Sequence, residues 1–459
     1  MNTAPSPDDL QAAGIPARGR LVPRLGVLSV SSPLEVGADR APRAAASMAR
    51  WLEEWGCEVV EIGPVDDPEK SAAAGKKLAE AHVQAAVVVA ASWFEDYLVL
   101  DLLEECAAPL LVWALPGMET GALCGTQQLA AYLAQLGLPH RSIFGTMEDP
   151  RCRDAARAFL SAAALKHRLR RARIGLAGHR VAGMTEVSAN EFALKKALGP
   201  RVVPLDLPRL LSRAAEIADD RARGLWQALV ARAGRSSVGE EDGLDSMKVY
   251  LAVKELVGGH RLDALTVGCY PHLMGRVCLA ASLLADEGVP MGCEGDVNGA
   301  IGQLILTLLT GSATHNTDWL DPLEDGSIVL THCGSGSFDL AERREDITLG
   351  HVRLMNRGVC ALFPAKPGPV TLLNLIPRGD GYQAALLEGE AISTDMVFPG
   401  NPLRVRFAEP IAGIQEWIYE KGIGHHWMAS YGHVGAELRE WARLCGLTLQ
   451  NRGQPPVSS

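Results

Sequence analysis

Over its first third the chain alternates short apolar, β-branched runs with amphipathic stretches. "RLGVLSVS" (24–31), "CEVVEIGPV" (57–65), "AAVVVAAS" (85–92), "PLLVWALP" (109–116) and "HRSIFG" (140–145) have strand length and strand composition. Between them lie helical patterns such as "APRAAASMARWLEEWG" (41–56) and "CGTQQLAAYLAQLG" (124–137). This alternation predicts a parallel sheet with helices on both faces. An Ala- and Arg-rich helix over about 150–171 then leads into "RIGLAGHRVAG" (173–183), which reads as a fresh first strand. "RVVPLDL", "LDALTVGCY" and "VPMGC" follow, separated by helices that include "DSMKVYLAVKELVGG". Beyond about residue 320 the pattern changes to Gly- and Pro-punctuated strand-like pieces, with helical periodicity weak until "AELREWARLCG" (436–446).

The fold class expected is therefore α/β: two tandem doubly wound parallel-sheet domains, then a C-terminal antiparallel β domain, barrel-like or sandwiched. The boundaries read as a flexible leader over 1–22, α/β domains over 23–171 and 172–320, a β domain over 321–450, and a disordered tail over 451–459. A length of 459 residues at 47% hydrophobic supports that many cores.

Charge and cysteine content narrow the function classes. A net charge of −10, with one short basic cluster at 166–175 that reads as a solvated helix end, argues against a nucleic-acid surface. No segment has the length of a membrane span, and the N-terminus lacks the apolar core of a signal peptide, so a cytoplasmic protein is expected. The ten cysteines never form CxxC and sit in apolar segments, as reduced, buried side chains do.

The chemistry concentrates around "GCEGDVNGA" (292–300), at the carboxyl end of a predicted strand, where open α/β sheets bind their ligands. Asp296 precedes a helix with apolar Ile301, Leu304, Ile305 and Leu308 and a terminal Gly311, and is read as its N-cap. Glu294 is not explained by capping, and a carboxylate held there requires a cation or a proton. Asp318, in "THNTDWLD", follows the helix, and His332 and the His425–His426 pair supply imidazoles. Carboxylates with a neutral imidazole suit a transition metal such as Mn²⁺. Taken singly, each histidine is more often structural, and the scattered spacing does not assemble a site. The Gly-rich stretches match no nucleotide-binding pattern, and no serine lies in GxSxG. Trp93, in "SWFEDYL", follows a strand and either faces a ligand or packs a helix start.

"CEGDVNGAIGQLILTLLTG", "TDW" and "HHWMASYGHVGAEL", with "NEFALKKALG", "DSMKVYLAVKEL" and "GALCGTQQLAAYLAQLGLPHRSIFG", resemble the L-fucose isomerase and L-arabinose isomerase superfamily, most of all its fucose-isomerase-like branch. The resemblance runs over most of residues 24–446. It implies a Mn²⁺-dependent aldose–ketose isomerase working through a cis-enediol(ate), with proton transfer between C1 and C2. By position, it implies Glu294, Asp318 and His426 as metal ligands, with Glu294 and Asp318 also the acid/base pair. The arabinose branch adds His332 as a further ligand. His272, in "CYPH", and His425 fall at substrate-facing positions where fucose isomerases carry other residues, which leaves a pentose, another deoxyhexose or a charged or modified hexose as the sugar. The family's trimers or hexamers, with active sites at subunit interfaces, imply a homo-oligomer in which Trp93, Glu119 and Gln128 contact substrate in trans. Two alternatives stand beside this: a non-catalytic sugar-binding or sensor protein, and a metal-dependent lyase or hydrolase acting on a related sugar acid.

Overall fold

The computed structural model describes residues 19–452, so the leader and tail expected at the two ends lie almost wholly outside the described residues. The chain divides into two compact units. The first comprises Leu21–Arg168 and Ala436–Leu444. It contains β1 (Arg24–Val30), β2 (Glu58–Val65), β3 (Ala85–Ala90), β4 (Leu110–Ala114) and β5 (His140–Phe144), an all-parallel sheet in the order β2-β1-β3-β4-β5. Every residue of β3 is buried, as a central strand covered on both faces requires, whereas the edge strands β2 and β5 are largely open. The helix Gly435–Cys445, far along the chain, belongs to this unit through Ala436–Leu444, with Arg141 paired to Glu440 at 2.8 Å.

The second unit begins with β6 (Arg173–Ala177), β7 (Arg201–Leu205), β8 (Arg235–Ser236), β9 (Ala264–Val267) and β10 (Met291–Gly292). Four of these form a second parallel sheet in the order β10-β9-β6-β7. There follow β11 (Thr314–Pro322), β12 (Ile328–Thr331), β13 (Thr348–Gly350), β14 (Cys360–Leu362), β15 (Gly368–Arg378), β16 (Gly381–Ile392), β17 (Leu403–Arg406), β18 (Trp427–Tyr431) and β19 (Thr448–Asn451). β15-β18-β11-β12-β17-β16 run antiparallel, and because β15 also pairs with β16 the six close into a ring; β19 adds parallel to β16 outside it. Closure leaves no free edge within the ring. β8, β13 and β14 make a small separate sheet.

The helix Val297–Thr310 joins the two layers. It packs against β6, β9 and β10 on one side and β11, β15 and β18 on the other, and every residue except Thr310 is buried. A helix apolar on all sides is stable only when enclosed in this way. Its N-cap is Asp296 and its C-cap is Gly311.

One local reading is corrected. Residues Ile411–Lys421 are a helix within the segment expected to be strand-like, started by Pro410 and ended by Gly422, with Ile411, Ile414 and Trp417 buried against the closed sheet. Asp318, expected to follow the helix, does so within β11, opposite Thr331 of β12. Seven of the ten cysteines are buried, as expected, whereas Cys124 is exposed and Cys333 and Cys445 are half-buried. Among the described residues, no helix is long and apolar enough to cross a membrane.

Candidate metal and catalytic site

Glu294 leaves β10 in a conformation that side-chain-bearing residues rarely adopt. Its φ is +64°, in the left-handed region, and Gly295 follows at +72°. The backbone fixes this turn: Val181 N–H donates to Glu294 O at 3.0 Å, Gly295 N–H to Val267 O at 3.0 Å, and Asp296 N–H to Cys293 O at 3.1 Å. Strain of this kind persists only where surrounding contacts determine it, and such residues cluster at functional sites. Here it delivers the Glu294 carboxylate to the end of the parallel sheet.

The closed sheet supplies the facing groups. β18, β11 and β12 are neighbours, and His426 immediately precedes β18, Asp318 lies on β11, and His332 immediately follows β12. Three adjacent strands thus present three side chains to Glu294. His426 Nε2 lies 3.0 Å from Glu294 Oε2 and 3.8 Å from Asp318 Oδ1, and His332 Nε2 lies 3.9 Å from Glu294 Oε2 and 3.8 Å from Asp318 Oδ2. Glu294, His332 and His426 are less than a tenth exposed, whereas the Asp318 side chain is 35% exposed and marks the open side.

The electrostatics follow from that crowding. Burial alone would raise Glu294, but the imidazole of His332 beside it and the hydrogen bond with His426 outweigh it and hold the carboxyl well below the usual carboxylate range. Burial would lower His426, yet its bonds to Asp296 and Glu294 raise it to about 10. Behind the site His315 is fully enclosed with both ring nitrogens unpartnered, and burial, with the nearby His332, brings it down to about 3.

No protein-family model matches the chain. Sulfoquinovose isomerases from Priestia aryabhattai and Alkalicoccus urumqiensis are 24% and 23% identical to it over 368 and 357 residues, spanning 76% and 74% of this chain and 81% and 80% of theirs. An L-arabinose isomerase from Nocardioides is 22% identical over 372 residues, spanning 74% of this chain and 72% of its own. The chain is a distant homologue of these sugar isomerases. That distant homology agrees with the resemblance to the fucose and arabinose isomerase superfamily that the CEGD and HHW segments carry.

The residues gathered here fit a divalent cation. Ligands about 2.1 Å from an ion lie about 3 Å from one another at right angles and about 4 Å when opposed, the range of the distances above. Asp318 Oδ1 is buried with no hydrogen-bond partner, the condition of an oxygen that a cation would satisfy. Two overlapping sets, Glu294/His425/His426 and Asp318/His332/His426, place their ligand atoms within 4.8 Å of one another. His425, expected to face substrate, is therefore also within reach as a ligand; its ring lies 4.0 Å from that of His426 and its Nδ1 bonds to Glu186.

The other expected site residues are not in either of these ligand sets. His272 is exposed in the segment after β9, and its carbonyl accepts a bond from Arg357. Trp93, Glu119 and Gln128 belong to the first unit, where Trp93 Nε1 donates to Gln128 Oε1 at 3.3 Å and Glu119 is exposed. Sequence reasoning missed Glu186, which carries no signal beyond being one of many surface acids, and it missed the second contact of Asp296. That residue caps the helix through Gly299 N–H at 2.9 Å and also holds His426 Nδ1 at 2.8 Å.

Proposed function

We propose that this protein is a metal-dependent aldose–ketose isomerase that moves a proton between C1 and C2 of a sugar through a cis-enediol(ate). The observation that carries the reading is the convergence of Glu294, Asp318, His332 and His426 from two different sheets on one buried nest. These four would hold the cation, with His425 a fifth donor on the exposed side. Manganese suits this mix of carboxylate oxygen and imidazole nitrogen. Bound there, the cation supplies Lewis acidity against charge developing on two adjacent sugar oxygens.

The protein groups do the proton work. Both imidazoles lie within 3.9 Å of Glu294 and of Asp318, so one carboxylate can take the proton from one carbon while the other, as the acid, returns it to the neighbouring carbon. The burial of Glu294 keeps water from competing for that proton, and the partial exposure of Asp318 leaves a route for substrate. Among sugars, a hexose bearing an acidic group is the first candidate, since the sulfoquinovose isomerases are among the relatives. Homo-oligomeric assembly is part of the reading. In the first unit Leu34 and Met118, on the segments after β1 and β4, are almost wholly exposed at the carboxyl end of the parallel sheet, the end at which Trp93 follows β3 and Glu119 follows β4.

The test is incubation of the Mn²⁺-loaded protein with sulfoquinovose, fucose, arabinose and their ketoses in D₂O, followed by NMR. Deuterium entry at C1 or C2 with isomer formation is expected for at least one sugar. A protein that binds metal yet gives neither isomer nor exchange across a broad panel would overturn the catalytic reading.

A further inference from the structure

Asp296 uses its two oxygens for different purposes. Oδ1 accepts the Gly299 N–H at 2.9 Å and closes the first turn of the buried helix. Oδ2 lies 2.8 Å from His426 Nδ1. Both residues are 3% exposed, so water does not compete for the bond. The cap itself is held firmly: Asn298, within the first turn, donates to Val187 O at 3.1 Å and accepts from Tyr382 OH at 2.9 Å. On the other side the backbone of His426 is fixed, because Asn374 Nδ2 donates to its carbonyl at 2.6 Å. With the main chain pinned, the Asp296 bond determines how the imidazole is turned.

A carboxylate offers only acceptors, so the hydrogen in this bond resides on Nδ1. A neutral His426 held in this way carries its lone pair on Nε2, the atom 3.0 Å from Glu294 and 3.8 Å from Asp318. That is the tautomer a cation among those groups requires, and an outer carboxylate of this kind also makes the imidazole a stronger donor. We propose that Asp296 is a positioning residue for His426: by holding Nδ1–H it selects the tautomer and sets the affinity of the cluster for a divalent cation. This rests on reading the cluster as a cation site. A helix cap alone would not need the second oxygen, and a serine or asparagine would cap as well.

The cap and the tautomer can be separated. In Asp296→Asn the side-chain oxygen can still accept Gly299 N–H, but the amide nitrogen then points hydrogens at His426 Nδ1. The imidazole must accept there and place its own hydrogen on Nε2, facing the cation. Asp296→Ser keeps a cap and leaves Nδ1 without its partner. Metal-stripped wild type and both variants are titrated with Mn²⁺ by calorimetry, and urea midpoints of the metal-free proteins are recorded alongside. A dissociation constant raised roughly 10- to 100-fold is expected in both variants, with the Asp296→Asn midpoint close to wild type.

Mn²⁺ affinity of Asp296→Asn within twofold of wild type would overturn the proposal and leave Asp296 a cap only. The wild-type arm tests the underlying reading separately: failure to bind Mn²⁺ there would overturn the cation site, and the proposal with it. A second measurement does not depend on a variant folding. In ¹⁵N-histidine-labelled wild type loaded with Zn²⁺, His426 should show a protonated Nδ1, and a protonated Nε2 would overturn the assignment.

Discussion

Substituting Gly295 by alanine tests whether the turn that aims Glu294 is as constrained as it looks. A Cβ built there would lie 2.5 Å from His179 O, 2.7 Å from Arg180 Cα and 2.8 Å from Arg180 N, all backbone atoms that no rotamer change can move. At φ +72° the alanine also bears the left-handed penalty, about 1–2 kcal/mol. Overpacking adds about 1–3 kcal/mol, so Gly295→Ala should destabilise the protein by about 2–5 kcal/mol. Gly422, the C-cap of Ile411–Lys421, is the control. Its φ is +56°, and a Cβ there would meet only Arg378 Nη1, the mobile end of a side chain, at 3.1 Å. Gly422→Ala should therefore cost only the conformational term, about 1–2 kcal/mol. Urea unfolding of both variants without metal measures the difference, and Mn²⁺ titration should show weakened binding for Gly295→Ala alone. Equal costs for the two substitutions, or unchanged metal affinity in Gly295→Ala, would refute the claim that this contact positions Glu294.

Other outcomes follow from the same geometry. Glu294→Gln should reduce turnover by about 10²–10⁴-fold with a normal far-ultraviolet circular dichroism spectrum, and retained isomerisation would remove Glu294 from the proton path. Chelation should abolish activity and lower the melting temperature, with both restored by Mn²⁺; saturation at 100 times Kd stabilises by about 2.7 kcal/mol, and an unchanged melting temperature would count against a bound ion. His315, brought down to about 3 by burial where an unfolded histidine titrates near 6.5, gives a signed pH dependence. Between those values the unfolded chain binds the extra proton, so this contribution is present above about pH 6.5 and is lost as pH falls, by about 1.4 kcal/mol per unit. His315→Leu should lack that component, so the wild type minus variant stability difference should shrink by about 2 kcal/mol from pH 6.5 to 5; an unchanged difference would refute it.

The two parallel sheets were legible because their strands are continuous apolar runs whose identity depends on local composition. The helix Ile411–Lys421 was not, because its buried stripe is short, interrupted by Gly413, and embedded among strand-like segments. β11 was hidden for a different reason. "THNTDW" places polar residues on both faces of the strand, and its buried Thr314, His315, Asn316 and Thr317 make sense only beside β12 and β18. The candidate site shows the same division. Glu294 stood out because capping did not account for it, whereas Asp296 looked fully explained by a local rule that satisfied only one of its oxygens. Its partner His426 lies 130 positions away, beyond any periodicity.

The enclosed helix Val297–Thr310 also bears on how this protein can be taken apart. Without a polar face, it cannot be left behind by either sheet: a fragment ending before β11, or one beginning there, would expose a long apolar surface and collapse or aggregate. The second parallel sheet and the closed sheet should therefore open together, and amide hydrogens along this helix should be among the slowest to exchange. Grafting or recombining such proteins would need crossover points outside residues 291–322, so that the helix, its cap and β11 travel as one inherited block.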